Sequence, residues 1–234
     1  MRDRPTPTVL SGQAAIISGG NPLLAGAIAK ALVDVDVSIC VCNHTAQLVD
    51  RTLTAVAAAR GRCIGLVNPL DTLAAAEVVV TQTQATFGRL DLLVCISSFF
   101  AGGELHTASL RTWDTVLDIN LRQAFLMMRV SLPYLRTQQH GQILAIGSDS
   151  GLATYPYEGA FGVAMHGLTA LIEQVGLENA AFGIRAHSLC PGLAREPQPE
   201  VDPAPVLAPD DIAAWTVWLL TRPVHLRSNG PIRV

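Results

Sequence analysis

Two polar residues stand where chemistry could be done. Ser148 ends the apolar run Gln142 to Gly147, and Asn120 sits in Asp118-Ile119-Asn120-Leu121, inside a long apolar-periodic segment. A hydroxyl at a strand end and a helix-borne amide can orient a bound molecule by hydrogen bonding, and both residue types also close local backbone. Tyr157 could offer a proton if the following helix began early, whereas Pro156 and Gly159 favour a loop there. The 6 histidines form no motif, and His166 reads as a packed or interfacial residue. Asp149-Ser150-Gly151 is not a hydrolase elbow, because Asp149 holds the central position between Gly147 and Gly151. The 5 cysteines, Cys40, Cys42, Cys63, Cys95 and Cys190, have neither a C-x-x-C pair nor metal-ligand spacing and read as buried thiols.

The elements that must position these groups follow from hydrophobic patterning. Apolar runs at Ala14 to Ser18, Val37 to Val41, Cys63 to Val67, Leu90 to Ile96, Gln142 to Gly147, Arg185 to Cys190 and Pro231 to Val234 read as strands. Between them, Leu23 to Leu32, Ala46 to Ala59, Leu73 to Phe87, Leu110 to Leu135, Ala160 to Ala181 and Asp210 to Leu220 carry helical periodicity. Strands apolar throughout and separated by helices predict a single α/β domain over residues 1–234. It would be a Rossmann-like, doubly wound, seven-stranded parallel sheet with helices on both faces. Residues 1–12 form an extension, and the proline-rich stretch 192–209 a surface loop near the pocket. Ligands of such sheets lie beyond the carboxyl ends of the strands, so the turn Ser18-Gly19-Gly20-Asn21-Pro22-Leu23-Leu24-Ala25, at a helix N-terminus, is a candidate anion cradle.

From about Gln13 to Val234 the chain resembles the short-chain dehydrogenase/reductase family. The resemblance rests on this turn, on Asp91-Leu92-Leu93-Val94, on Asn120 and Ser148, and on Gly183-Ile184-Arg185 with Cys190-Pro191-Gly192. It implies NAD(P) as cofactor, with cofactor-binding positions at Ser18, Gly19, Asn21, Leu23, Leu24, Asn43, His44, Asn68, Cys95, Pro191 and Gly192. It also implies a catalytic set of Asn120, Ser148 and the positions of a Y-x-x-x-K motif. That motif falls on Phe161-Gly162-Val163-Ala164-Met165, so Phe161 replaces the tyrosine and Met165 the lysine, leaving Tyr157 as the possible substitute. In the family the tyrosine moves the carbonyl proton and the lysine tunes it and holds the cofactor ribose. The second and third glycines of T-G-x-x-x-G-x-G fall on Leu23 and Ala25, and the leucine side chain is expected to fill space that phosphates need. Asn43 and His44 supply neither the acid nor the base expected after the second strand, and Cys95-Ile96-Ser97-Ser98 replaces N-N-A-G.

With a net charge of -3 and 15% charged residues, no basic patch points to nucleic acid. The N-terminus lacks a leader-like apolar run and no later run approaches the roughly 20 apolar residues of a membrane span, so a cytoplasmic protein is expected. The expected role is a non-catalytic subunit, in a homo-oligomer or beside an active family member, contacting its partner through helices 110–135 and 160–181. The alternative is an atypical enzyme, a reductase with a displaced proton donor or a cofactor-independent isomerase or cyclase, acting on a small apolar carbonyl-type substrate over Phe161 and Met165.

Overall fold

The computed structural model describes residues 9–57, 62–97, 99–192, 207–223 and 230–234. Helices alternate with strands: β1 (Ala14–Gly19), α1 (Pro22–Val33), β2 (Ser38–Asn43), α2 (Ala46–Val56), β3 (Cys63–Val67), α3 (Leu73–Phe87) and β4 (Leu92–Ile96). After them come α4 (Leu110–Leu117), α5 (Gln123–Gln138), β5 (Gly141–Ile146), α6 (Ala160–Asn179), β6 (Ile184–Cys190), α7 (Pro209–Leu220) and β7 (Ile232–Arg233). All strand pairs are parallel, in the order β3-β2-β1-β4-β5-β6-β7. The order reverses between β1 and β4, and a crevice opens at that point beyond the carboxyl ends of the strands.

The strands are apolar throughout because both faces are covered. One face buries Ile16, Leu93 and Ile143 against α3, α5 and α6. The other buries Ile17, Ile39 and Leu144 against α1 and α7. Helix starts follow local chemistry: Thr45, Thr72 and Ser109 cap α2, α3 and α4 through their hydroxyl oxygens, and Gly88 ends α3 at φ +77. At the amino ends of the strands, Asp91 is buried and accepts from Arg89 Nε (2.6 Å), Arg89 NH2 (2.8 Å), the Ala14 N–H (2.9 Å) and His140 Nε2 (3.0 Å). It ties the starts of β1, β4 and β5 together.

Most boundaries shift by one or two residues from expectation, as with β2, expected at Val37 to Val41 and found at Ser38–Asn43, and three of the differences have a visible cause. The helix expected over 110–135 is broken by a π-turn at Asp118–Arg122, where Asn120 turns its amide onto the backbone of Phe99, and α5 then runs on to Gln138. Strand β4 starts at Leu92, since Asp91 spends its side chain on the anchor. The last helix of the core, α6, ends at Asn179 in a short 3-10 turn closed by Gly183 at φ +69. Contrary to expectation, one segment does meet the length and composition of a membrane span: Ala160–Phe182, with mean hydropathy 1.2. Leu168, Ile172 and Val175 of that segment pack into the sheet's core.

Candidate ligand-binding site at the carboxyl ends of the strands

Gly19 (φ +76) and Gly20 (φ +78) bring the β1–α1 turn hard against β4: a Cβ on Gly19 would stand 2.7 Å from the Ile96 carbonyl oxygen, and one on Gly20 2.7 Å from the Ile96 side chain. Only glycine allows both the backbone angles and the approach. The turn satisfies itself. Asn21 Oδ1 accepts the Leu24 N–H (3.0 Å), and Pro22 has no N–H, so of the three first-turn donors only that of Leu23 stays uncommitted to a side chain. Asn43 is buried; its Nδ2 donates to the carbonyls of Gly20 (3.1 Å) and Gly19 (3.3 Å), while Oδ1 accepts the His44 N–H (2.8 Å).

Asn68 is equally occupied: it donates to the Ala75 carbonyl (2.9 Å) and accepts the Leu70 N–H (2.9 Å). Cys95 is buried beside Ser18, and burial pushes its thiol up to about 12, against a smaller opposing pull from the Ser18 hydrogen bond. Cys40 and Cys42 are raised to about 11 and about 12 by burial as well, so none of these thiols is a neutral-pH nucleophile. The cavity left here holds about 240 Å³ and is lined by Gly19, Asn21, Asn43, His44, Asn68 and Phe99, among others. Leu23 is 55% exposed and is not among its lining residues, whereas Asn21 and Pro22 are. The turn thus lacks the donors of Pro22 and Leu24 for a dinucleotide pyrophosphate, while the N–H groups of Gly20, Asn21 and Leu23 are not engaged by any described residue.

Asn120 lies in the π-turn between α4 and α5, and Ser148 just after the end of β5. Asn120 is fully buried: Nδ2 donates to the carbonyls of Phe99 (2.7 Å) and Val116 (3.0 Å), Oδ1 accepts the Phe99 N–H (3.0 Å), and its own carbonyl accepts from the Ser97 hydroxyl (2.7 Å). Both of its amide donors are spent within the chain, and the one acceptor site left on Oδ1 belongs to a fully buried side chain. Ser148 is partly exposed, with its hydroxyl 3.2 Å from Asp149 Oδ1 and 3.1 Å from Ser150 Oγ. Phe161 and Met165 are 7% and 1% exposed and form an apolar cluster with Val116, Ala160 and Ala164, and Phe161 meets Phe100 edge-on at 5.2 Å.

Helix α6 starts at Ala160, so Tyr157 lies in the preceding loop, 67% exposed, at the rare backbone angle φ +65. A left-handed tyrosine costs on the order of 1–3 kcal/mol and persists only where its surroundings hold it. Here the Gly103 N–H donates to the Tyr157 carbonyl at 2.6 Å. The groups that pattern reading passed over gather close by. Tyr155 donates its phenol to Asp149 Oδ2 (3.1 Å), Arg233 donates to the same phenol oxygen (3.0 Å) and to Asp149 Oδ2 (3.1 Å), and Ser150 donates to Glu158 Oε1 (2.6 Å). Arg233 stands 84 positions from Asp149, a separation that carries no motif. Pro191 accepts the Asp149 N–H (2.9 Å) and Gly192 donates to the Val234 carbonyl (3.2 Å), which fixes both as backbone joints. Ser98 and most of the proline-rich stretch, residues 193–206, lie outside the described residues.

A doubly wound parallel sheet with a glycine turn at the switch between β1 and β4 belongs to the class of nucleotide-binding α/β folds. The sequence profile described as "short chain dehydrogenase" matches residues 13–198, and the chain belongs to that family. It is 28% identical over 185 residues to a D-beta-hydroxybutyrate dehydrogenase of Rhizobium meliloti (strain 1021), covering 78% of this chain and 72% of the relative. A second D-beta-hydroxybutyrate dehydrogenase, of Cupriavidus necator, is 28% identical over 191 residues, covering 81% and 73%. Among solved structures, levodione reductase superposes with a TM-score of 0.88 at 20% identity over 96% of both chains. A short-chain dehydrogenase/reductase from Burkholderia xenovorans gives 0.87 at 25%, over 96% of this chain and 95% of that one. The family normally binds NAD(P), the carrier of the hydride its dehydrogenases exchange.

Proposed function

We propose that this chain keeps the family's fold without its hydride chemistry and works as a non-catalytic subunit, beside an active homologue or a second copy. One observation carries the reading. The two positions where the family's tyrosine and lysine are expected, Phe161 and Met165, are buried in an apolar cluster with no polar side chain to exchange a proton. General acid–base help is worth roughly 10²- to 10⁴-fold in rate, and its loss here coincides with a nucleotide turn in which Asn21 takes the Leu24 N–H and Pro22 offers none. Exposed apolar side chains on the long helices, Phe125 and Tyr134 on α5 and Leu177 on α6, supply covering surface for a partner.

The test is calorimetric titration with NADPH and NADH to millimolar concentration, alongside affinity purification of the tagged chain from its own cells. No saturable heat, with co-purification of a homologue carrying Y-x-x-x-K or a homo-oligomer in solution, is the expected result. Saturable binding with NADPH oxidation by a carbonyl compound overturns it. A second reading, a reductase with a displaced proton donor, draws on the Tyr155 phenol, which Arg233 and Asp149 hold within a chain of hydrogen bonds leading to Ser148. On that reading Tyr155→Phe abolishes NADPH oxidation; if the wild type shows none, the reading falls.

A further inference from the structure

A second hollow, of about 970 Å³, lies on the other side of α6 from Phe161 and Met165, between the loop at Gly103 to His106, the loop at Thr154 to Gly159 and the first turns of α6. Its volume is at the upper end of what small-molecule sites use. We propose that this cleft binds an organic ammonium with an apolar body. The inference goes beyond the subunit reading and stands whether or not the chain transfers hydride.

Shape comes first. The cleft is built by contact between its two loops: the Tyr157 carbonyl accepts the Gly103 N–H, and a Cβ on Gly159 would meet the Gly103 carbonyl oxygen at 3.0 Å. The backbone angle at Tyr157, φ +65, is held by that clasp, and an outlier of this kind on a bulky residue points to a functional constraint. Its walls are apolar and aromatic: Tyr155, Tyr157, Leu105 and Val163 are 40%, 67%, 61% and 47% exposed and wait for cover.

Charge decides the ligand. Glu104 and Glu158 line the cleft, Glu104 Oε2 standing 3.3 Å from Nδ1 of His106, another lining residue, and no lysine or arginine is found among its described lining residues. Arg233, which touches the Tyr155 hydroxyl, is neutralised by Asp149. Glu158 accepts from Ser150 through Oε1, while Oε2 is buried with no hydrogen-bond partner among the described residues. His166 Nδ1 lies 2.9 Å from the Gly162 carbonyl oxygen, which can only accept, so Nδ1 is the donor of that contact. Two carboxylates and two tyrosine faces suit a group that is positive and rich in N–H donors. They oppose a carboxylate or phosphate.

The experiment uses three isosteric probes, phenethylammonium, 2-phenylethanol and 3-phenylpropionate, titrated calorimetrically at pH 7 into the full chain. Saturable binding is expected for the ammonium at millimolar concentration or below, with the carboxylate at least about tenfold weaker. Glu104→Gln, on an exposed side chain, should weaken the ammonium about threefold. Tyr157→Gly should weaken it about fivefold with no loss of thermal midpoint, because glycine accepts the positive φ freely. Equal affinity for ammonium and carboxylate, no saturation, or unchanged affinity in both variants overturns the proposal. NADPH titration in the same cell reads the subunit hypothesis separately.

Discussion

The two hollows at the carboxyl ends of the strands have had opposite fates. On the nucleotide side, Asn21, Asn43 and Asn68 direct their amides at nearby backbone, and about 240 Å³ remains. Beside α6, about 970 Å³ stands open, with a carboxylate oxygen unpartnered; left-handed backbone occurs on both sides, at Tyr157 here and at Leu70 on the nucleotide side. Polar groups that pair with their own backbone give up ligands and stabilise the fold, whereas a polar group left unpaired calls for an explanation. The contrast locates the remaining binding capacity of this molecule on the α6 side.

The largest test of that contrast is to return charge to the closed side. Met165→Lys places an ammonium among Val116, Phe161 and Ala164 with no partner, and should cost about 3–5 kcal/mol, read as a lower urea midpoint. Phe161→Tyr with Met165→Lys should recover little of that loss and no NADPH binding. If the double variant is as stable as wild type and binds NADPH, the nucleotide side is dormant and not closed, and the comparison collapses.

The sheet was readable from sequence because burial on both faces forces uninterrupted apolar runs, as in Ile143 to Ile146, and parallel strands must be separated by crossover helices. Spacing from Ser148 is what points to Phe161 and Met165 as the family's tyrosine and lysine positions, and both are buried side by side in one apolar cluster. The Asp149–Tyr155–Arg233 cluster was not, since its members meet only after β7 pairs with β6. The kink at Asn120 was hidden as well, because its cause is a contact with Phe99 across 21 positions and not a proline or glycine. The alignment gives the place of Leu23 in the chain but not its exposure, and the side chain is 55% exposed.

Acid should act on neither hollow first, which separates ligand effects from stability. Burial lowers His187 to about 4, with Arg185 and Arg222 pushing the same way. The unfolded chain therefore takes up its proton near pH 6.5 while the folded chain resists, so stability is complete above about 6.5. It falls by up to about 3 kcal/mol as pH drops to 4. Burial works to raise Asp91, but its hydrogen bonds from Arg89, Ala14 and His140 prevail and hold it below the usual carboxylate range, so its contribution is lost only as pH falls beneath about 4. Urea midpoints measured from pH 8 to 3 should show both steps, with His187→Gln removing the upper one. A midpoint flat down to pH 4 contradicts the assignment.

The smallest effect bears most directly on why the nucleotide side is closed. Asn21→Ala removes the side-chain oxygen that occupies the Leu24 N–H, and loss of such a cap should lower stability by about 1 kcal/mol in thermal or urea unfolding. The freed N–H would still face Pro22 and the clasp of Asn43 on Gly19 and Gly20, so NADPH titration of this variant should remain silent. Adding Pro22→Ser supplies a second donor at the same helix end. If the pair of substitutions produces saturable NADPH binding where the wild type has none, the closure resides in the commitment of backbone donors. If it does not, the Asn43 clasp and the missing lysine at Met165 account for the rest, because they act on the turn's shape and on the ribose end without touching those donors.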